Sequence, residues 1–129
     1  MAIGVWEPKK ENSIDAEKLK EILSFVASSD LIDLKAVLPQ SIVQSDSFLM
    51  KKEEADWACL SEFSDTDLIL LVKFFTLVEM QIGGWEGEKT SPVIYIVKVL
   101  KKRSAFEPEL RKWIKASTDN RYLPNGAIF

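Results

Sequence analysis

The sequence predicts an all-α fold, a compact bundle of five or six helices around a central apolar helix at about residues 64–82. Three observations carry that expectation. The stretch after Ser64 is apolar around most of its circumference, as a helix enclosed by others is. Most other apolar residues recur at steps of three and four, which place them on one face of a helix. No second segment reads as a partner strand for the one β-branched run, Val93 to Leu100. With 129 residues, 47% of them hydrophobic and 29% charged, the chain has the size and composition of one globular domain.

Residues 1–12 read as an N-terminal extension, in which Pro8 and the charged Lys9, Lys10 and Glu11 delay regular structure. A helical domain is expected over 13–116, with a C-terminal tail packed on it over 117–129. Asn12 or Ser13 can cap the first helix, with Asp15 and Glu17 at the positive end of its dipole. Leu19, Ile22, Leu23 and Val26 form its inner stripe, and it should end near Ser28 or Ser29. Asp30 restarts a short helix with Leu31, Leu34 and Leu38 on one side, and Pro39 stops it. The Ser- and Gln-rich residues 40–47 read as a connection. A third helix is expected from about Ser47, with Met50, Trp57 and Leu60 inward.

Ser64 is the clearest cap in the chain, with Asp65 and Asp67 in the first turn that follows it. Gly83 and Gly84 should end that helix, because glycine readily takes the left-handed conformation. At 100° per residue, Asp65, Thr66, Lys73, Thr76 and Glu79 fall within an arc of about 140°, a narrow wet stripe. Residues 85–90 form a loop. Ser91 and Pro92 then stand where an N-cap and a first helical residue belong. Val93, Ile96, Val97 and Leu100 make a helical stripe, and Lys101, Lys102 and Arg103 suit a helix C-terminus, so helix is expected over strand. A last helix spans Pro108 to Ala116, with Leu110, Trp113 and Ile114 inward and Arg111, Lys112 and Lys115 outward. A turn follows at Pro124–Gly126.

The residue types close several routes to catalysis. Without histidine there is no Ser-His or Cys-His nucleophile pair and no histidine metal site. Cys59 is the single cysteine, which excludes an intrachain disulfide and fits a reducing compartment better. As a lone thiol within a helix it reads as a small buried apolar residue. The run GEKT at 87–90 mimics the end of a P-loop, but Glu88 separates glycine from lysine and the segment follows a helix, not a strand. Asp65 and Asp67 mimic the start of an EF-hand loop, yet Leu70 stands where that loop needs glycine. Carboxylate chemistry stays open, since Asp and Glu from separate helices can pair as acid and base. No cofactor and no metal are expected.

The opening MAIGVWEPKKEN has no apolar signal core, and the longest apolar run, Leu68 to Ile82, is short of the ~20 residues that cross a bilayer. The expectation is a soluble, cytoplasmic protein with no membrane contact. Its net charge of −3 divides unevenly, into −9 over residues 1–88 and +6 over 89–129. Such a division marks either a polar interaction surface or two ends of one bundle that neutralise each other.

Two surfaces follow. One is a basic face of Lys98, Lys101, Lys102, Arg103, Arg111, Lys112 and Lys115, which suits a phosphate backbone or is simply solvated. The other is the loop with Trp85, Glu86 and Lys89, joined by Arg121, Tyr122 and Phe129 of the tail, and by Trp6. There Trp85 is either an interface anchor or a lid that folds back onto the bundle. The function expected is a non-enzymatic protein-interaction or adaptor module with a protein partner or a second copy. The alternative is a nucleic-acid-associated regulator using the basic face, followed by a carboxylate-based enzyme.

Overall fold

The computed structural model describes residues 13–27 and 33–126. Among these the fold is all-α, with six α-helices, three short 3₁₀ segments and no strand. The helices are α1 (Ala16–Val26), α2 (Leu34–Val37), α3 (Gln40–Ser45), α4 (Asp65–Gln81), α5 (Pro92–Lys102) and α6 (Pro108–Ser117). No helix among the described residues is long and apolar enough to cross a membrane. The expected positions of Asn12, Ser28, Ser29, Asp30 and Leu31 lie outside the described residues, as do Trp6 and Phe129.

α4 is the centre, in contact with α1, α2, α5 and α6 and packed most extensively on α5. Ser64 caps it, its hydroxyl accepting from the Asp67 amide at 3.1 Å. Leu68, Leu71, Val72, Phe74, Phe75 and Val78 are buried along it. Its C-terminus gives way to Gly83 and Gly84, the latter at φ +95°, where a side chain would be strained. α5 is a helix as expected, with Ser91 accepting from the Val93 amide, Pro92 at the first turn, and Val93, Ile96, Val97 and Leu100 buried.

α1 buries Leu19, Ile22, Leu23 and Val26, the stripe read from its sequence, but its cap is Asp15, whose Oδ1 accepts from the Glu17 amide at 3.0 Å. Two other expectations are corrected. Residues 40–45 form α3 rather than a connection, with Pro39 in front and Ile42 buried. The third helix expected from Ser47 is instead two 3₁₀ segments, Ser47–Lys51 and Glu54–Glu62, the second opened by a reciprocal capping box between Glu53 and Asp56. The residues expected to point inward still do, Met50, Trp57 and Leu60 all being buried.

Four aromatic rings cross the core edge to face. Trp57 meets Phe75 at 5.8 Å, Phe75 meets Phe74 at 4.9 Å, and Phe74 meets Trp85 at 6.1 Å. Such perpendicular contacts set the positive ring edge against the negative face. This chain of rings links the 3₁₀ region, α4 and the loop after it.

Candidate interaction site

The polar end of α4 organises the site. The helical wheel places Thr76 and Glu79 on a wet stripe, but the structure buries both, at 0% and 8% exposure. Thr76 satisfies its hydroxyl within the helix, donating to the Val72 carbonyl at 2.7 Å. Glu79 does more. Its Oε2 accepts from the amides of Gly87 at 2.6 Å and Glu88 at 3.0 Å, while Asn120 Nδ2 reaches Oε1 at 3.1 Å. One carboxylate thus clasps helix, loop and tail. Asn120 strengthens the clasp by donating also to the Glu88 carbonyl and accepting from the Tyr122 amide.

Trp85 is fully buried, so it presents no ring to a partner; the lid reading describes it and the anchor reading does not. Its Nε1 donates to the Val43 carbonyl of α3 at 3.1 Å, which satisfies the one polar atom that burial would otherwise leave unpaired. Thr90 pins the far end of the loop by donating to the Met50 carbonyl at 2.8 Å. In the tail, Leu123 is buried in the hydrophobic core and Tyr122 is half-buried against it.

Over the clasp lies an open cleft of about 440 Å³, lined by Glu79, Met80, Glu86, Glu88, Asp119, Asn120, Arg121 and Tyr122. Met80 is 46% exposed, although α4 buries eight of its seventeen residues. Glu86 accepts from the Gly84 amide at 3.1 Å, whereas Glu88, Asp119 and Arg121 have no ion-pair partner among the described residues. Glu88 also holds a left-handed backbone at φ +50°. That conformation is costly for a residue with a Cβ, and here both its amide and its carbonyl are held by the clasp.

Of the loop-and-tail residues singled out by sequence, Glu86, Arg121 and Tyr122 come together in this cleft. Lys89 is exposed on the same loop but does not line it, and Phe129 lies outside the described residues. Sequence reasoning missed Met80, Glu88, Asp119 and Asn120. Met80 carried a readable signal: it sits about 60° round the wheel from Asp65, an apolar residue inside the wet arc.

The residues of the basic face differ in what holds them. Lys98 pairs with Glu54 at 2.8 Å, and Arg103 pairs with Asp65 at 3.0 Å while donating to the Phe63 and Ser61 carbonyls. These contacts join the basic C-terminal section to the acidic first part of the chain. Lys101 donates to Asn125 and lies over the Phe106 ring. Lys102 sits beside Lys98 at a separate cavity near Trp57 and Tyr95. Arg111, Lys112 and Lys115 share an outward face on α6.

Burial, reinforced by the Glu62 carboxylate, pushes the Cys59 thiol up to about 11, which keeps it protonated and poorly nucleophilic. Among the described residues no cluster of three or more Cys, Asp or Glu is arranged to hold a metal ion. Comparison of the chain with family models, curated proteins and solved structures finds no match.

Proposed function

We propose that this protein is a non-enzymatic protein-interaction module whose binding site is the cleft between α4, the 85–90 loop and the tail. The observation that carries the reading is Met80, an exposed methionine at a concave site whose walls are fixed from beneath by the Glu79 clasp. A polarizable, unbranched side chain adapts to a partner surface. Walls already held in place reduce the ordering cost of binding. Polar groups around an apolar patch then supply orientation and specificity.

A carboxylate-based reaction has less support, because Glu79 and Glu86 already accept backbone amides. A nucleic-acid surface also has less support, since Lys98 and Arg103 are held by carboxylates of the same chain. The reading includes a soluble, cytoplasmic location, supported by the free Cys59.

The test places a photo-crosslinking amino acid at Met80 of the full chain in its native host, with Thr66, exposed at the other end of α4, as the control position. A discrete protein adduct from position 80 and none from position 66 is the expected result. Equal labelling at both positions, or no adduct at 80, removes the proposal.

A further inference from the structure

We infer that the outer face of α6 docks on the acidic cleft of a second copy of this chain, so that the protein pairs with itself through unlike surfaces. The inference rests on the cleft being a protein-binding site, as proposed above, and names its occupant.

On a wheel of 100° per residue, Arg111, Lys112 and Lys115 fill an arc of about 100°, opposite the buried Leu110 and Ile114. With Pro108 and Ala116 they line a shallow groove of about 630 Å³. Four cations elsewhere are held within the chain: Lys18 by Asp46 and Glu21, Lys20 by Glu17, Lys98 by Glu54, and Arg103 by Asp65. No carboxylate among the described residues reaches any of these three. Arg111 and Lys115 stand at i, i+4 and Lys112 and Lys115 at i, i+3, spacings at which like charges repel. A carboxylate-lined surface on another chain would offset that repulsion.

A second copy carries such a surface. Glu86, Glu88 and Asp119 line the cleft against one cation, Arg121, and Glu88 and Asp119 have no ion-pair partner among the described residues. The apolar parts match as well, because arginine and lysine stems lie along apolar surface with their heads at polar groups, and Met80 and Tyr122 line the same cleft as the carboxylates. The cleft is too small for a helix of roughly 10 Å diameter. α6 therefore lies across its mouth and inserts side chains. Asp119 follows Lys115 by four residues, so arc and cleft adjoin along the chain. Each copy can then offer its α6 to the other's cleft in a two-fold pair, the commonest closed arrangement of identical chains. A nucleic acid fits less well, since Glu109 on the same helix and Asp119 just beyond it repel a polyanion.

The experiment is sedimentation of the full chain and of two charge-reversed chains. One carries Arg111→Glu, Lys112→Glu and Lys115→Glu; the other carries Glu88→Lys and Asp119→Lys. All these positions are exposed, and circular dichroism checks that each chain keeps its helices. The wild type is expected to sediment as a dimer whose dissociation constant rises at least about tenfold between roughly 50 and 500 mM salt. Each reversed chain alone is expected to be monomeric, and an equal mixture of the two to regain a mixed dimer. A wild type that stays monomeric at about 1 mM overturns the inference. So does a mixture of two folded chains that stays monomeric, or an arc that retards duplex DNA while the chain remains monomeric. A Met80 adduct with some other protein would then leave the cleft reading standing, whereas no adduct at all would end both.

Discussion

Replacing Glu79 with alanine tests whether one carboxylate holds the α4 terminus, the loop and the tail together. The magnitude follows from its donors. The Gly87 amide is buried, so removing its acceptor leaves a desolvated N–H that costs about 1–3 kcal/mol. The Glu88 amide and Asn120 Nδ2 lie nearer the cleft, where water can replace the carboxylate at small loss. Adding the lost packing of the side-chain stem, at about 0.8 kcal/mol per methylene, gives a destabilisation of about 2–4 kcal/mol. Glu79→Gln keeps the shape and one acceptor oxygen, and should lose about half as much. Urea unfolding measures both, as a lower midpoint with an unchanged slope. Hydrogen exchange adds the local reading, since the Gly87 and Glu88 amides should lose protection before the α4 core does. A loss below about 0.5 kcal/mol for Glu79→Ala, the range of a neutral surface change, would refute the clasp. Unchanged protection at Gly87 would refute it as well.

Three further outcomes are expected. Trp85 and Trp57 are both buried, yet only Trp85 has a partner for its indole N–H, the Val43 carbonyl, whereas Trp57 Nε1 is buried without one. Trp85→Phe should therefore cost about 1–2 kcal/mol more than Trp57→Phe in the same urea assay, and equal losses would count against the Val43 bond. A Cβ at Gly87 would meet the Ser91 Cα at 2.9 Å, while one at Gly83 meets nothing within 4 Å. Gly87→Ala should lose about 1–3 kcal/mol by overpacking against the cap of α5, with Gly83→Ala near neutral, and thermal melts of the pair decide it. At alkaline pH three groups act in one direction. Burial raises the Cys59 thiol from 9.0 to about 11, and burial with the nearby Glu54 raises the Tyr95 hydroxyl above 10.0. Burial of Lys18 opposes its charge, but Asp46 and Glu21 outweigh that and raise it above 10.5. The folded chain then holds more protons than the unfolded one, so stability is full below about pH 9 and falls as pH rises through the raised values. A urea midpoint that climbs between pH 9 and 11 contradicts this.

The helices that sequence reveals well are those where one face does one job. α1 and α5 repeat apolar residues at helical steps between polar ones, and each starts at a residue that caps it. α4 is legible for another reason: its cap and its glycines bracket a run too apolar to sit at a surface. Residues 47–62 mislead because the informative period there is shorter. Trp57, Leu60 and Phe63 are all buried at steps of three, which is one turn of a 3₁₀ helix, whereas Met50 to Trp57 suggests two turns of an α-helix. α3 offers only Ile42 as a buried residue, and one inward side chain makes no period.

The cleft was half legible, and the missing half shares a cause. A helical wheel assigns Glu79 an angle but not a neighbour, and its donors lie 8, 9 and 41 residues further along the chain. The fate of Trp85 was likewise decided 42 residues upstream, by a carbonyl of a helix that periodicity could not reveal. Loop and tail close over Glu79, so the polar arc of α4 is used up inside the protein at its C-terminal end, while Asp65 and Thr66 at the other end stay exposed. Met80, inside the same arc, is left facing outward with apolar surface to offer. Polar residues on an apolar helix ordinarily mark the side turned to water. Here Glu79 marks where the chain folds back over itself, and the exposed Met80 beside it marks where that cover stops.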